Sequence, residues 1–232
     1  MLDVFQVKTM NNGPPWQFRD SERMIAANAA LLAQTHFLIG ITRVRNEALI
    51  LGDTLDFIGR HVDAIIASTD RTLELLHSHP KVAVILANGA WEADVRARRT
   101  AEHRHRQLLL QCAREQLRFE WMLCFDADER ITGNLRGFVS GSLAKGCDGV
   151  SVQLFDAYMT PDDCAPYQPG QELLGFRRYY GPERRDILML WRNRPEVFFA
   201  EGHEREPGGI SRLRTDLYCQ HYGKSLSIEH WE

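Results

Sequence analysis

The densest chemistry in this sequence lies in four residues. Asp126-Ala127-Asp128-Glu129 places three carboxylates directly behind the apolar run Trp121–Phe125. Like charges so close together repel unless a cation or solvent compensates them. Carboxylate oxygens are hard donors that suit Mg2+ or Mn2+, ions that keep part of their water and also bind phosphate oxygens. A cation bridging a diphosphate would act as a Lewis acid, neutralising charge on a departing group. The plainer alternative is a solvated acidic turn in which Asp128 or Glu129 caps the next helix.

A second cluster lies upstream. Arg96, Arg98, Arg99, His103, Arg104, His105 and Arg106 form a local basic patch. A guanidinium suits a diphosphate because its planar donors pair two oxygens at once. Most of these residues are expected on a solvated helix face, with Asp94 and Arg98 or Arg99 turned inward. His103 and His105 diverge on a helix and have no cysteine partners, which argues against zinc.

The elements that must position these groups follow from hydrophobic periodicity. Ser21 is expected to cap a short helix running through Ala33. Phe37–Ile41, Val62–Ala67, Val82–Leu86 and Trp121–Phe125 are short apolar runs suited to buried strands. Between them, Asn46 to Gly59 has apolar residues at helical spacing. Thr69 or Asp70 is placed to cap a helix carrying Leu73, Leu75 and Leu76. Glu92 to Phe119 predicts a long helix with a wet N-terminal half. This alternation implies an α/β fold, a mostly parallel central sheet with helices on both faces. Ligands of such sheets bind beyond the carboxyl ends of the strands, so the loops after Ile41, Ala67, Leu86 and Phe125 should share one crevice. After about residue 146 the runs Gly149–Leu154, Ile187–Trp191, Val197–Phe199 and Leu217–His221 are separated by Pro- and Gly-rich loops, predicting a smaller mixed or antiparallel portion. The expected division is an N-terminal extension (1–35), a first half (36–145) and a second half (146–232) of one domain.

Composition narrows the class. The 232 residues are 44% hydrophobic and 25% charged, enough for one substantial core. A net charge of −3 provides no basic field to gather nucleic acid. Five scattered cysteines without a Cys-x-x-Cys pair read as reduced thiols in a cytoplasmic protein. The opening Met-Leu-Asp-Val-Phe does not read as a signal peptide, and no apolar run is long enough to span a bilayer. Peripheral membrane contact stays open.

Several segments, in order, resemble the family 2 glycosyltransferases, whose fold is called GT-A. They are Ile41-Thr42-Arg43-Val44-Arg45-Asn46-Glu47, Ser68-Thr69-Asp70-Arg71-Thr72, the arginine-containing stretch Glu92 through Gln107, Asp126-Ala127-Asp128-Glu129, Glu201-Gly202-His203-Glu204 and His221-Tyr222-Gly223. The resemblance covers about residues 37 to 225. One position departs from it: Ile65 stands where the family carries an Asp that reads uracil or ribose, and Asp63 and Asp70 are the candidates to replace it.

The resemblance implies a GT-A-like, Rossmann-type fold with an acceptor-side second portion. It also implies transfer of a sugar, with inversion, from a nucleoside-diphosphate sugar to an acceptor hydroxyl. Mn2+ or Mg2+ would be held by Asp126, Asp128 and His221, with His203 a second candidate nitrogen ligand. Arg45, Glu47, Ser68, Asp70, Asp94, Arg98, Asp126 and Arg192 would face the nucleotide-sugar. Glu204 would be the general base that deprotonates the acceptor. Plainer roles stand beside these: Glu47 as a helix-start acid, Asp70 as a cap, Glu204 as a surface acid, Arg192 as a structural residue, the histidines in polar networks. Trp91, Trp191, Tyr179 and Tyr180 could stack on a sugar, although core packing is the usual fate of aromatics. The acceptor would be a glycan, a lipid-linked carrier or a protein.

Three other readings compete. A phosphatase would use Asp126 as nucleophile. A nucleotidyltransferase would want a glycine-rich phosphate loop after the first strand, and Arg43-Val44-Arg45-Asn46 has no glycine. A catalytically weak or inactive nucleotide-sugar-binding module is the third.

Overall fold

The structure, a computed structural model, describes residues 18–69, 72–89, 94–200 and 205–228. Among the described residues nine strands form one sheet: β1 (Glu22–Ala26), β2 (Thr35–Val44), β3 (Ala64–Thr69), β4 (Val82–Asn88), β5 (Arg118–Phe125), β6 (Glu129–Thr132), β7 (Gly149–Tyr158), β8 (Tyr179–Arg192) and β9 (Leu213–His221). Their spatial order is β1-β4-β3-β2-β5-β8-β7-β9-β6. The contiguous strands β4, β3, β2 and β5 are parallel. β1 pairs antiparallel with β4, β8 antiparallel with both β5 and β7, and β9 parallel with β7 and antiparallel with β6. The fold is therefore mixed α/β, with a mostly parallel central section flanked by helices. Among the described residues, no helix is long and apolar enough to cross a membrane.

The parallel strands read as unbroken apolar runs because both of their faces are covered. Alternate residues of β2 divide between two cores. Leu38 and Val44 join Leu51, Leu55 and Ile58 of α2 (Ala48–Gly59) and Leu76 of α3 (Leu73–Ser78) on one face. Ile39 and Ile41 join Leu108, Leu109, Leu110 and Ala113 of α4 (Val95–Gln116) on the other. Truncating one such leucine to alanine costs about 2–5 kcal/mol, so these layers fix the strand ends on which the site depends. Gly40 is a packing requirement of the same kind: a Cβ there would lie 2.9 Å from Cε1 of Phe125, the residue that leads into the acidic cluster.

The chain runs outward from β2 to β3 to β4 and then crosses back through α4 to β5, on the other side of β2. The direction of winding thus reverses between β2 and β5. Loops leaving the carboxyl ends of these two strands diverge there and open a crevice.

Four expectations change. Residues 22–26, expected within a helix, form β1, because alternating Met24 and Ile25 complete the sheet edge beside β4; the helix that follows, α1 (Ala29–Leu32), is capped by Asn28. The residue before α3 is Thr72; it makes no side-chain cap, and Thr69 Oγ1 instead accepts from its backbone N–H at 3.2 Å. The polar stretch of α4 is not solvated throughout: Arg96 is exposed, but His103, Arg104, His105 and Arg106 are buried. Val197–Phe199 is an irregular segment with one isolated bridge, Phe198 to Gly208.

Candidate active site

β5 delivers the acidic cluster to the reversal point, where it turns directly into β6. The turn is closed from within: Glu129 N–H donates to the Asp126 carbonyl at 3.2 Å, and Asp126 N–H donates to Glu129 Oε2 at 2.8 Å. It is also held from below. Fully buried Arg130 donates to the carbonyls of Ala127 and Glu129, both at 2.9 Å, to Asp53 Oδ2 at 2.6 Å and to Thr54 Oγ1 at 2.9 Å. Thr54 Oγ1 in turn donates to the Ala127 carbonyl at 2.6 Å. The turn is thereby fastened to α2.

Two guanidiniums hold the first aspartate. Arg106 Nη2 lies 3.0 Å and Arg205 Nη1 3.4 Å from Asp126 Oδ1. Burial alone would raise this carboxyl, but Arg205 and Arg106 outweigh it and hold it at about 2. Arg205 also bonds Glu129 Oε2 at 2.5 Å.

The other carboxylates are less compensated. Glu47 precedes α2, immediately after Asn46, which turns the chain through φ 54°. α2 starts on the Glu47 backbone carbonyl, which accepts from Leu51 N–H at 2.9 Å, and the Glu47 side chain makes no cap. Burial, then the charges of Asp128 and Asp126, push this carboxyl up to about 7. Glu47, after β2, thus lies within electrostatic reach of Asp126 and Asp128, after β5, across the reversal point.

The antiparallel pairing of β6 with β9 sets His221 opposite Glu129, and the β7–β9 register sets it beside Asp156. His221 Nε2 lies 3.3 Å from Asp128 Oδ2, and Nδ1 lies 2.6 Å from Asp156 Oδ1. Burial opposes the charged ring, but Asp128 and Asp156 raise it to about 10. Gly223 leaves space beside this pair: a Cβ there would stand 2.8 Å from Asp128 Oδ2 and 2.9 Å from His221 Nε2. Among the described residues, no three His, Cys, Asp or Glu side chains form a ready-made metal cage. What the site offers is an oxygen–nitrogen pair, Asp128 and His221, with Glu47 and Asp126 nearby.

The structure brings Glu47, Asp126, Asp128 and His221 together, with Arg45 on the adjoining loop. Other expected residues stand elsewhere. Arg192 pairs with Trp121 near the start of β5, at the opposite end from Asp126; its guanidinium stacks 4.4 Å from the Trp121 ring and bonds Glu120, so it does not face this crevice. Asp94 caps α4, accepting from Ala97 N–H at 2.9 Å. It lies twelve positions before Arg106, about 18 Å along the helix. Ser68 ends near the crevice, but its side chain is buried in a small pocket with Glu22, Asn88 and His105. Asp63 cannot replace the missing aspartate at position 65. It lies before β3, where it accepts from Phe37 and Leu38 N–H and pairs with Arg136 at 2.7 Å. Asp70, Trp91, His203, Glu204 and the Arg98 side chain lie outside the described residues.

Two contributors, Arg205 and Asp156, were missed by sequence reasoning, and a third, Arg106, was placed in the basic patch but assigned to its solvated face. Arg106 had a signal, since it shares a helical stripe with Leu109 and Ala113, three and seven residues on. Arg205 and Asp156 had none, because their partners are 65 residues or more away in the chain.

No protein-family model matches the chain, and no curated protein sequence matches it. Solved structures similar to it include a 4-diphosphocytidyl-2C-methyl-D-erythritol synthase from Anaerococcus prevotii (14% identity, 67% of this chain and 71% of that one, TM-score 0.40). Another is HddC from Yersinia pseudotuberculosis (10% identity, 83% and 96% of the two chains, TM-score 0.39). Likeness at this level decides nothing about activity.

Proposed function

We propose that this chain is a metal-dependent glycosyltransferase of the family 2 kind, moving a sugar from a nucleoside-diphosphate sugar to an acceptor hydroxyl with inversion. The observation that carries the reading is the excess of carboxylates over cationic partners at the reversal of winding, with Glu47 the one that burial and like charge disfavour. There burial, and after it Asp128 and Asp126, push Glu47 up to about 7, while Asp128 is set against His221 beside a glycine. Carboxylates left in this state favour a cationic ligand.

The donor set fits a hard divalent cation, Mn2+ or Mg2+. Asp128 and His221 would hold it, with Asp156 fixing the orientation of the His221 ring through Nδ1. When bound, such an ion supplies Lewis-acid neutralisation of the diphosphate leaving group. The remaining roles belong to the chain itself. Arg106 and Arg205 keep Asp126 ionised and fixed in direction. Glu47 is placed to bond a sugar or ribose hydroxyl. Glu204 is the proposed base toward the acceptor, on the strength of the sequence resemblance.

The test is a thermal-shift screen of nucleoside diphosphates, with and without Mn2+, on the wild type and Asp128→Asn. A ligand selective for the native state raises apparent stability. A Mn2+-dependent shift that Asp128→Asn abolishes is expected. Equal shifts in both proteins, independent of metal, would sink the metal role. Release of pyrophosphate from a nucleoside triphosphate and a sugar 1-phosphate would replace this reading with nucleotidyl transfer.

A further inference from the structure

Beyond His221 the sheet presents two exposed aromatic rings. In β7 and β8, Asp156 pairs with Gly181 and Tyr158 pairs with Tyr179. Side chains two apart on a strand share a face, so Tyr158 and Tyr179 stand on the face that carries Asp156 and His221, about 7 Å further along. Their exposures are 46% and 47%, against full burial for Trp121 and Trp191. The intervening position is a glycine for a visible reason: a Cβ on Gly181 would lie 2.7 Å from Tyr158 Cε2, so the ring lies across this glycine. The strand beneath is anchored from its other side, where Tyr180 and Tyr222 hydroxyls bond at 2.9 Å and Tyr222 accepts from Gly175 N–H at 2.8 Å.

We propose that Tyr158 and Tyr179 form the acceptor subsite, a stacking platform for the ring of a saccharide, one rung of the sheet beyond the Asp156–His221 pair. This rests on the glycosyl-transfer reading and names its acceptor as carbohydrate. An exposed tyrosine ring covers the C–H face of a pyranose while its hydroxyl stays wet. The surroundings are polar: the Arg178 guanidinium lies 5.6 Å from the Tyr179 ring centre, and Asp156 borders the platform. Sugar hydroxyls find partners in such a rim, whereas a lipid chain needs continuous apolar surface.

Saturation-transfer NMR tests this without any donor present, using cellotriose, maltotriose and chitotriose as probes. At least one saccharide should receive saturation from the wild type. Tyr158→Ala and Tyr179→Ala should each weaken its binding roughly three- to tenfold, while Tyr158→Phe retains it. Gly181→Val should also weaken it, because the new side chain displaces the intact Tyr158 ring. A retained diphosphate thermal shift in each variant shows that it is folded with its donor side intact. The proposal is overturned if none of the three saccharides binds, if the alanine variants bind like the wild type, or if phosphatidylglycerol vesicles compete for the platform. Absence of any diphosphate shift in the wild type would instead remove the glycosyl-transfer reading and leave a saccharide contact at the tyrosines standing.

Discussion

At the amino end of the central sheet the buried carboxylates are matched by arginines, whereas at the carboxyl end a matched and an unmatched carboxylate stand side by side. Before β3, Asp63 accepts two backbone N–H groups and an arginine, and although burial pushes its carboxyl up, Arg136 and those donors hold it below the usual range. Before β7, at the same end of the sheet, Asp148 lies 2.7 Å from Arg212 and 2.6 Å from Arg194, and the Arg212 hydrogen bond leads in holding it low. At the other end Asp126 has two arginines, but Glu47 meets only burial and like charge. Balanced charge at one end serves the fold. Imbalance at the other costs stability, which makes sense where a ligand supplies the missing cation.

The comparison can be broken most decisively at Asp128. Its replacement by alanine should lower kcat/KM for transfer by about a thousandfold or more, about 4 kcal/mol, read by product formation with saturating Mn2+. Full activity in that variant under EDTA would remove the distinction between the two ends.

A balanced cluster should fail differently. Glu22 is buried between Arg104 and His105, and although burial opposes its charge, these partners hold it at about 2. Glu22→Ala leaves Arg104 buried without its carboxylate and should cost about 3–5 kcal/mol in urea unfolding. The pH dependence carries the sign of a depressed acid. Glu22 contributes its full share above pH 4.5, and this is lost as pH falls from 4.5 toward 2, up to about 3 kcal/mol in all. Glu22→Gln should flatten that part of the acid-denaturation profile.

Glu47→Gln should do the reverse. Removing an uncompensated charge should raise metal-free stability at pH 8 by about 1–2 kcal/mol while lowering turnover. Unchanged or reduced stability would show that the imbalance is already relieved. The smallest effect belongs to Arg192→Ala, which should leave KM for the nucleotide-sugar within about twofold, because that arginine stands at the balanced end.

What the sequence made legible follows the range of the interactions involved. The parallel strands and Asp126–Glu129 at the mouth of β5 could be read, because apolar runs and their ends are local patterns. The interior of α4 could not. Arg104 is buried against Glu22, 82 residues earlier, so a polar run that reads as solvated is in fact paired across the sheet edge. β1 was hidden for a similar reason: its five residues become a strand only beside β4. His221 could be chosen because it belongs to the His221-Tyr222-Gly223 segment of the resemblance, but Asp156, which orients it, looks like any polar residue of a β-strand.

Arg130 has a consequence for engineering this molecule. Its planar fork reaches an aspartate, a threonine and two carbonyls in different directions, joining helix α2 to the acidic turn. A lysine would bring the same charge but only one point of attachment on a loose stem. The turn would then be free to wander, and every carboxylate of the site would survive with its chemistry intact and its address lost.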